Sequence, residues 1–143
     1  MEPVEELLAI EAIRQLKARY FRCMDTKDWE GLAQVFASDA VLDHTEAEMN
    51  HTVTGRQEIA DSIRKAVAEV TTVHHGHMAE IEILSPTEAR GVWAMEDMLW
   101  WPEGGPTQAM HGYGHYHEEY RFEDGAWRIS LNRLTRLRLD FTR

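Results

Sequence analysis

The sequence predicts an α+β domain in which three helices, interrupted by a short strand, precede a four-stranded antiparallel meander. In the first half, apolar residues recur at helical spacing, whereas from Thr72 onward they alternate with polar residues as in half-buried strands. Helices and strands segregated along the chain in this way are typical of α+β folds. The length of 143 residues fits one domain over residues 1–143, because domains usually contain about 100 to 200 residues.

The helical half contains three amphipathic segments. The first has a charged face opposite its apolar stripe, the second opens at Asp28 with Thr26 as a competing cap, and the third opens at Gly55. The predicted elements are helices over about 4–24, 29–36 and 55–70 and a short strand over 41–42.

The second half contains four segments of alternating polarity. Ser85-Pro86-Thr87 and Glu123-Asp124-Gly125 are good turns between them, and the loop from Trp101 to Pro106 joins the middle pair. A long curved sheet wrapped over helices leaves a concave pocket at its open end. The predicted strands cover residues 72–84, 87–100, 107–122 and 126–139.

Charge and composition exclude several classes of protein. Fifteen basic and 25 acidic residues give a net charge of -10, which argues against a nucleic-acid partner and an anionic membrane surface. The single cysteine, Cys23, excludes an internal disulfide. The acidic N-terminal segment lacks the pattern of a signal peptide, and no apolar run is long enough to span a bilayer, so we expect a cytoplasmic protein.

Histidine is unusually clustered. Six of the eight histidines lie within residues 74–77 and 111–117. Because alternate residues of a strand share a face, His75 and His77 lie together and His74 faces the other way unless a bulge intervenes. His111, His115 and His117 likewise share one face. The pairs His75/His77 and His115/His117 have the spacing of strand-borne metal ligands, so a metal-dependent enzyme is one alternative.

Several other residues have two readings. Asp25 ends the first helix, where the helix dipole disfavours a carboxylate, so it is either a turn residue or the partner of a cationic group. Tyr20 lies on the apolar stripe and, taken alone, is a core residue. Asp97, taken alone, is an exposed strand residue. Trp93 either belongs to the core or lines a hydrophobic cavity.

Four segments together carry a family resemblance: residues 10–25, 73–81, 89–97 and 120–129. They resemble the SnoaL-like branch of the nuclear-transport-factor-2-like superfamily, nearest to its bile-acid 7α-dehydratase and scytalone dehydratase-like members. The resemblance implies a cone-shaped α+β barrel, with three N-terminal helices packed on a curved mixed sheet, and a homo-oligomer, either a trimer or a dimer.

The resemblance also implies roles for individual residues. The catalytic carboxylate falls on Asp25, the catalytic histidine on His74 and a catalytic tyrosine on Tyr20. Asp97 matches an aspartate of the bile-acid enzyme, and His44 stands where that enzyme has a pocket tyrosine. A second pocket histidine falls on either His111 or His115.

These residues lead to a functional hypothesis. His74, oriented by Asp25, removes a proton from an activated carbon, and Tyr20 with His44 or His115 hydrogen-bonds a carbonyl oxygen or protonates the leaving hydroxyl. The expected protein is a cofactor-independent, dehydratase-type lyase acting on a small hydrophobic oxygenated ring compound. A ketosteroid-isomerase-like isomerase and a non-catalytic binding or assembly module of the same fold remain alternatives.

Overall fold

The computed structural model describes residues 1–47 and 51–143. Its helices and strands follow the predicted order, with one additional short strand before the third helix. The elements are α1 (Pro3–Asp25), α2 (Trp29–Gln34), β1 (Phe36–Asp43), β2 (Thr52–Thr54), α3 (Arg56–Val67), β3 (Thr71–Ser85), β4 (Glu88–Trp100), β5 (Ala109–Glu123) and β6 (Ala126–Thr142).

The six strands form one curved, unclosed sheet in the order β2-β1-β6-β5-β4-β3. Strands β3 to β6 are the predicted antiparallel meander, whereas β1 runs parallel to β6. The sheet is therefore mixed, and with the helices on its concave side it has the predicted α+β cone architecture. None of the helices among residues 1–47 and 51–143 combines the length and apolarity needed to cross a membrane.

Helix α1 begins and ends where its sequence dictates. Pro3 occupies the first turn, and Glu2 and Glu5 form a reciprocal capping box. At the other end the backbone N–H of Thr26 still bonds to the helix, and Lys27 then takes a positive φ of 64° that stops it. The buried stripe of α1 consists of Ala9, Ile13, Leu16, Lys17, Tyr20, Cys23 and Met24.

Three predicted boundaries were wrong. Phe36 begins strand β1 instead of ending the second helix, because the chain leaves the helix at Val35, whose carbonyl accepts from Ile129 of β6. Strand β1 is thus longer than the predicted 41–42, and the three-residue strand β2 was not predicted at all. Helix α3 stops at Val67, where a turn closed by the N–H of Val70 follows.

The core lies between the helices and the concave face of the sheet. Burial alternates strictly along β4 and β5, so one face of each strand meets the helices and the other faces outward. On β5 the inward residues have even numbers, including Met110, Gly112, Tyr116 and Tyr120. Fully buried apolar residues that join the layers include Ile13, Leu16, Leu32, Phe36, Ile59 and Ile129.

Candidate active site

A cavity of about 260 Å³ opens between α1, α3 and the concave face of the sheet. Its walls are mostly apolar, with Ile63, Leu99, Trp101 and Phe141 among them. A wider depression of about 570 Å³ lies elsewhere, lined by charged side chains of β3 to β6, and His74 is not among its lining residues. The polar residues that line the cavity are Tyr20, His44, His74, Asp97, Tyr116 and Arg136.

Asp25 and His74 meet at the cavity wall. The Nδ1 atom of His74 lies 2.7 Å from Oδ1 of Asp25, and the backbone N–H of His74 donates to Oδ2 at 2.8 Å. The hydroxyl of Thr72 donates to Oδ1 at 2.9 Å. These three donors satisfy a carboxylate that the C-terminus of α1 disfavours electrostatically.

The contact with Asp25 fixes the tautomer of neutral His74. A carboxylate only accepts hydrogen bonds, so Nδ1 of His74 carries the proton and Nε2 keeps a lone pair. The ring of Phe21 stacks on the imidazole, with centroids 6.4 Å apart and an interplanar angle of 19°. Because the side chain of His74 is only 8% exposed, its Nε2 can act as a base shielded from bulk water.

The sheet brings Asp97 and Arg136 to the same cavity. Asp97 lies directly opposite His74 in the β3–β4 register. The guanidinium of Arg136 donates to both oxygens of Asp97, at 2.6 and 3.0 Å. The side chain of Arg136 is 10% exposed, and that of Asp97 is 6% exposed. Asp97 is therefore buried, in contrast to its reading as an exposed residue when taken alone.

Sequence reasoning missed Arg136, because the strand alternation of β6 is broken. The pairing of β5 with β6 skips Leu137 between Arg136 and Arg138, and Leu137 is 74% exposed. Arg136 thus shares the inner face with Leu134, while Arg138 turns outward. The signal that could have identified Arg136 is its spacing of two from the apolar Leu134.

Gly112 makes room for this ion pair. A Cβ atom at Gly112 would overlap both the guanidinium of Arg136 and the carboxylate of Asp97. We expect Gly112→Ala to lower the free energy of unfolding by about 1–3 kcal/mol, as overpacking of a filled core does, and urea unfolding measures this. Gly105→Ala is the control, because its Cβ would meet nothing closer than 3.9 Å. Equal effects of the two substitutions would contradict this explanation.

A second ion pair lies behind the cavity wall. Lys17 and Glu118 are buried, and the ammonium Nζ is 2.9 Å from Oε2 of the carboxylate. The same ammonium lies 3.8 Å from the ring centroid of Tyr20 and 3.7 Å from that of Tyr116, within range of cation–π attraction. Burial lowers the pKa of Lys17 to about 8, although the Glu118 carboxylate acts in the opposite direction, so Lys17 is a cation at neutral pH.

Three buried tyrosines predict a loss of stability in alkali. Burial raises the pKa of Tyr20, Tyr116 and Tyr120. Above pH about 10 the unfolded chain loses phenolic protons that the native protein keeps. The unfolded state then binds fewer protons, so the free energy of unfolding falls as pH rises, by about 1.4 kcal/mol per pH unit for each tyrosine. Urea unfolding between pH about 10 and 11.5 should show a shallower fall for Tyr116→Phe; an identical slope would contradict the assignment.

Three predicted pocket residues do not line the cavity. His111 and His115 lie on the odd-numbered face of β5, which is turned away from the helices. Trp93 lies on the inner face of β4, but its indole N–H donates to the hydroxyl of Tyr120 at 2.8 Å within the core. These three side chains lie outside the lining of the cavity, and their contact with a ligand stays a prediction.

The outward-facing histidines surround Glu96. His111 bonds to the carboxylate at 2.9 Å, and His75 and His77 approach it at 3.7 and 3.5 Å. Across residues 1–47 and 51–143, no group of three or more histidine, cysteine or acidic side chains is arranged to share a metal ion.

An open mixed sheet folded over three helices, with a histidine on the cavity wall held by an aspartate, defines a cone-shaped protein of the nuclear-transport-factor-2-like superfamily. The sequence profile of the SnoaL-like domain matches residues 5–133. The chain belongs to the SnoaL-like domain family, as the resemblance of its sequence segments predicted.

Solved structures share this fold. A protein from Novosphingobium aromaticivorans, assigned as a scytalone dehydratase, is 21% identical with a TM-score of 0.87, covering 99% of this chain and 93% of its own. A hexachlorocyclohexane dehydrochlorinase from Novosphingobium barchaimii is 20% identical with a TM-score of 0.85, covering 99% and 94%. A Mycobacterium tuberculosis protein of unknown function is 26% identical with a TM-score of 0.80, covering 96% and 78%. Identities near 20% establish a common fold.

Proposed function

We propose that this protein is a cofactor-independent lyase of the dehydratase type, which eliminates water from a small hydrophobic ring compound bearing a carbonyl and a hydroxyl group. The observation that carries the proposal is the 2.7 Å contact between Nδ1 of His74 and Asp25 beside a mostly apolar cavity. Enzymes assigned to elimination chemistry share the fold, which supports the reaction class.

The proposed step is a proton abstraction followed by loss of a hydroxyl group. Nε2 of His74 takes a proton from the carbon next to the carbonyl, and the electrons of that C–H bond form a carbon–carbon double bond. The C–O bond at the adjacent carbon breaks, and the hydroxyl takes the proton now on Nε2 of His74, so that it leaves as water and the imidazole returns to its neutral form. A positioned base of this kind contributes about 10²- to 10⁴-fold to the rate.

Two further groups are suited to the carbonyl oxygen as it becomes negative. The phenol of Tyr20 is a donor whose raised pKa keeps it protonated, and Arg136 supplies a positive charge at the cavity wall. Asp97 holds the guanidinium through two parallel hydrogen bonds. We therefore assign Tyr20 and Arg136 to the oxyanion and treat Asp97 as the residue that positions Arg136.

Cavity size and lining narrow the substrate class. The cavity of about 260 Å³ is below the range of about 300–1,000 Å³ common for drug-sized ligands. Its apolar walls favour a hydrocarbon ring, and its polar lining residues, which include His74 and Arg136, can meet oxygen atoms of a ligand. A compound of one or two rings that carries oxygen atoms meets these conditions.

A panel of cyclic β-hydroxy ketones tests the proposal. Incubation in D₂O followed by mass spectrometry and ultraviolet spectroscopy should reveal loss of water and formation of a conjugated enone. Deuterium exchange or double-bond migration without loss of water would identify an isomerase instead. Binding of panel members without exchange or elimination would overturn the lyase and support a non-catalytic binding module.

A further inference from the structure

A second space adjoins the cavity beyond the end of β4. The loop of residues 101–107, between β4 and β5, borders a depression of about 540 Å³. Trp101 and Phe141 line both this depression and the cavity of about 260 Å³. These two aromatic side chains therefore lie between the two spaces.

The inner face of β4 extends one residue beyond the strand and carries Trp101. Leu99 lines the cavity, whereas Trp100 lies on the outer face and is 45% exposed. Trp101 precedes Pro102, and the residue before a proline favours extended backbone. The N–H of Trp101 donates to the carbonyl of Gln108 at 2.9 Å. The alternation of β4 thus continues to Trp101, and the indole falls on the inner side.

Phe141 reaches the same place from β6. In the pairing of the strands it lies opposite Met110, which in turn lies opposite Leu99. Residues directly opposite each other share a face of the sheet, and all three line the cavity. Just beyond Phe141, the guanidinium of Arg143 donates to the hydroxyl of Thr107 at 2.7 Å. The end of β6 is therefore tied to the loop that borders the depression.

We infer that Trp101 is a specificity-determining residue, which limits the cavity to ligands of one or two rings. With the indole in place, a ligand that reaches His74 occupies a space of about 260 Å³. Without the indole, the cavity becomes continuous with the depression of about 540 Å³, and the combined space falls in the range of about 300–1,000 Å³ that suits larger ligands. The inference rests on the proposed function for the chemistry of the ligand, and it adds an upper limit on ligand size.

Binding of 2-decalone and testosterone tests the size limit, because both carry a ring carbonyl but they have two and four fused rings. Isoleucine-methyl ¹H–¹³C spectra report on ligands in the cavity, since Ile63 lines it. The Ile63 signal is the one that is missing in Ile63→Val. We expect 2-decalone to shift this signal in the wild-type protein and testosterone to leave it in place.

Trp101→Ala should admit the larger probe. Testosterone should then shift the Ile63 signal and bind at least about tenfold more tightly than to the wild-type protein, because its apolar rings become buried. It should also shift the amide signal of Gly104, which lines the depression. Trp101→Leu is the second variant should alanine prevent folding, and we expect a smaller gain in the same direction.

Trp100→Ala is the matched control. The adjacent tryptophan does not line the cavity, so its loss should leave the binding of both probes unchanged. An Ile63 shift with testosterone in the wild-type protein, no shift with 2-decalone, no gain in the Trp101 variants, an unmoved Gly104 signal or an equal gain in Trp100→Ala would overturn the inference. Since none of these measurements needs turnover, failure of the lyase proposal would appear separately, as absence of elimination.

Discussion

Replacing His74 with alanine or Asp25 with asparagine should lower turnover at least about 10²-fold while leaving the fold intact. His74→Ala removes the base itself, whose contribution is about 10²- to 10⁴-fold. In Asp25→Asn the amide NH₂ can face Nδ1 of His74, which moves the ring proton to Nε2 and removes the lone pair from the reacting position. Initial rates of enone formation, with Tm measured alongside, test both variants.

The chain offers a matched control on the same strand. His75 follows His74 directly but points to the outer face and is 54% exposed in its side chain, so His75→Ala should retain full activity. Asp25→Asn should also change stability little, because it removes a negative charge from the C-terminal end of α1. Full activity of both dyad variants on an identified substrate would remove His74 and Asp25 from the mechanism.

Local pattern drew attention to Asp25 and to the histidines of β3, but it did not pair them. The alternation of β3 separates His74 from His75, and the helical stripe ends at Asp25, but neither pattern selects His74 as the partner of Asp25. Their meeting is a contact between residues 49 positions apart. For that step the family resemblance was needed, since no local rule sets such a distance.

Which face of β5 turns inward was not predictable from alternation alone. The pattern correctly placed His111, His115 and His117 together. It could not show that the helices cover the opposite face, where Gly112 and Gly114 leave space for Asp97, Arg136 and the β6 backbone. Glycines that alternate with bulky polar residues are thus the overlooked indication of the inner face on this strand.

Two further features of the structure were not predicted from the sequence: the bulges in β6 and the buried pair of charges. The pairing of β5 with β6 skips Ser130 and Leu137, and each skipped residue reverses the faces of the residues that follow. The sequence analysis did not select Lys17 or Glu118, because charged residues are rarely buried unless they are paired. Lys17 and Glu118 can both be buried because their charges pair with each other, although 101 positions separate them in the sequence.

This buried pair predicts the largest effect on stability. Lys17→Met should lower the free energy of unfolding by about 3–5 kcal/mol, because it leaves the Glu118 carboxylate buried without its counter-charge. Lys17→Met/Glu118→Gln should recover most of the loss, since a neutral amide costs far less to bury than an unpaired charge. A urea-based double-mutant cycle measures the difference. Equal stability of the single and double variants would contradict an electrostatic cause.

The pH dependence of the same pair provides an independent test. Burial lowers the pKa of Lys17 to about 8, below the value of about 10.4 for an unfolded chain. Between these values the unfolded state binds more protons, so the Lys17 contribution to the free energy of unfolding rises with pH. This rise in the free energy of unfolding should appear between pH about 8 and 10 in the wild-type protein. It should be absent from Lys17→Met and from Lys17→Met/Glu118→Gln, which both lack the ammonium. A rise that persists in Lys17→Met would have to come from another group.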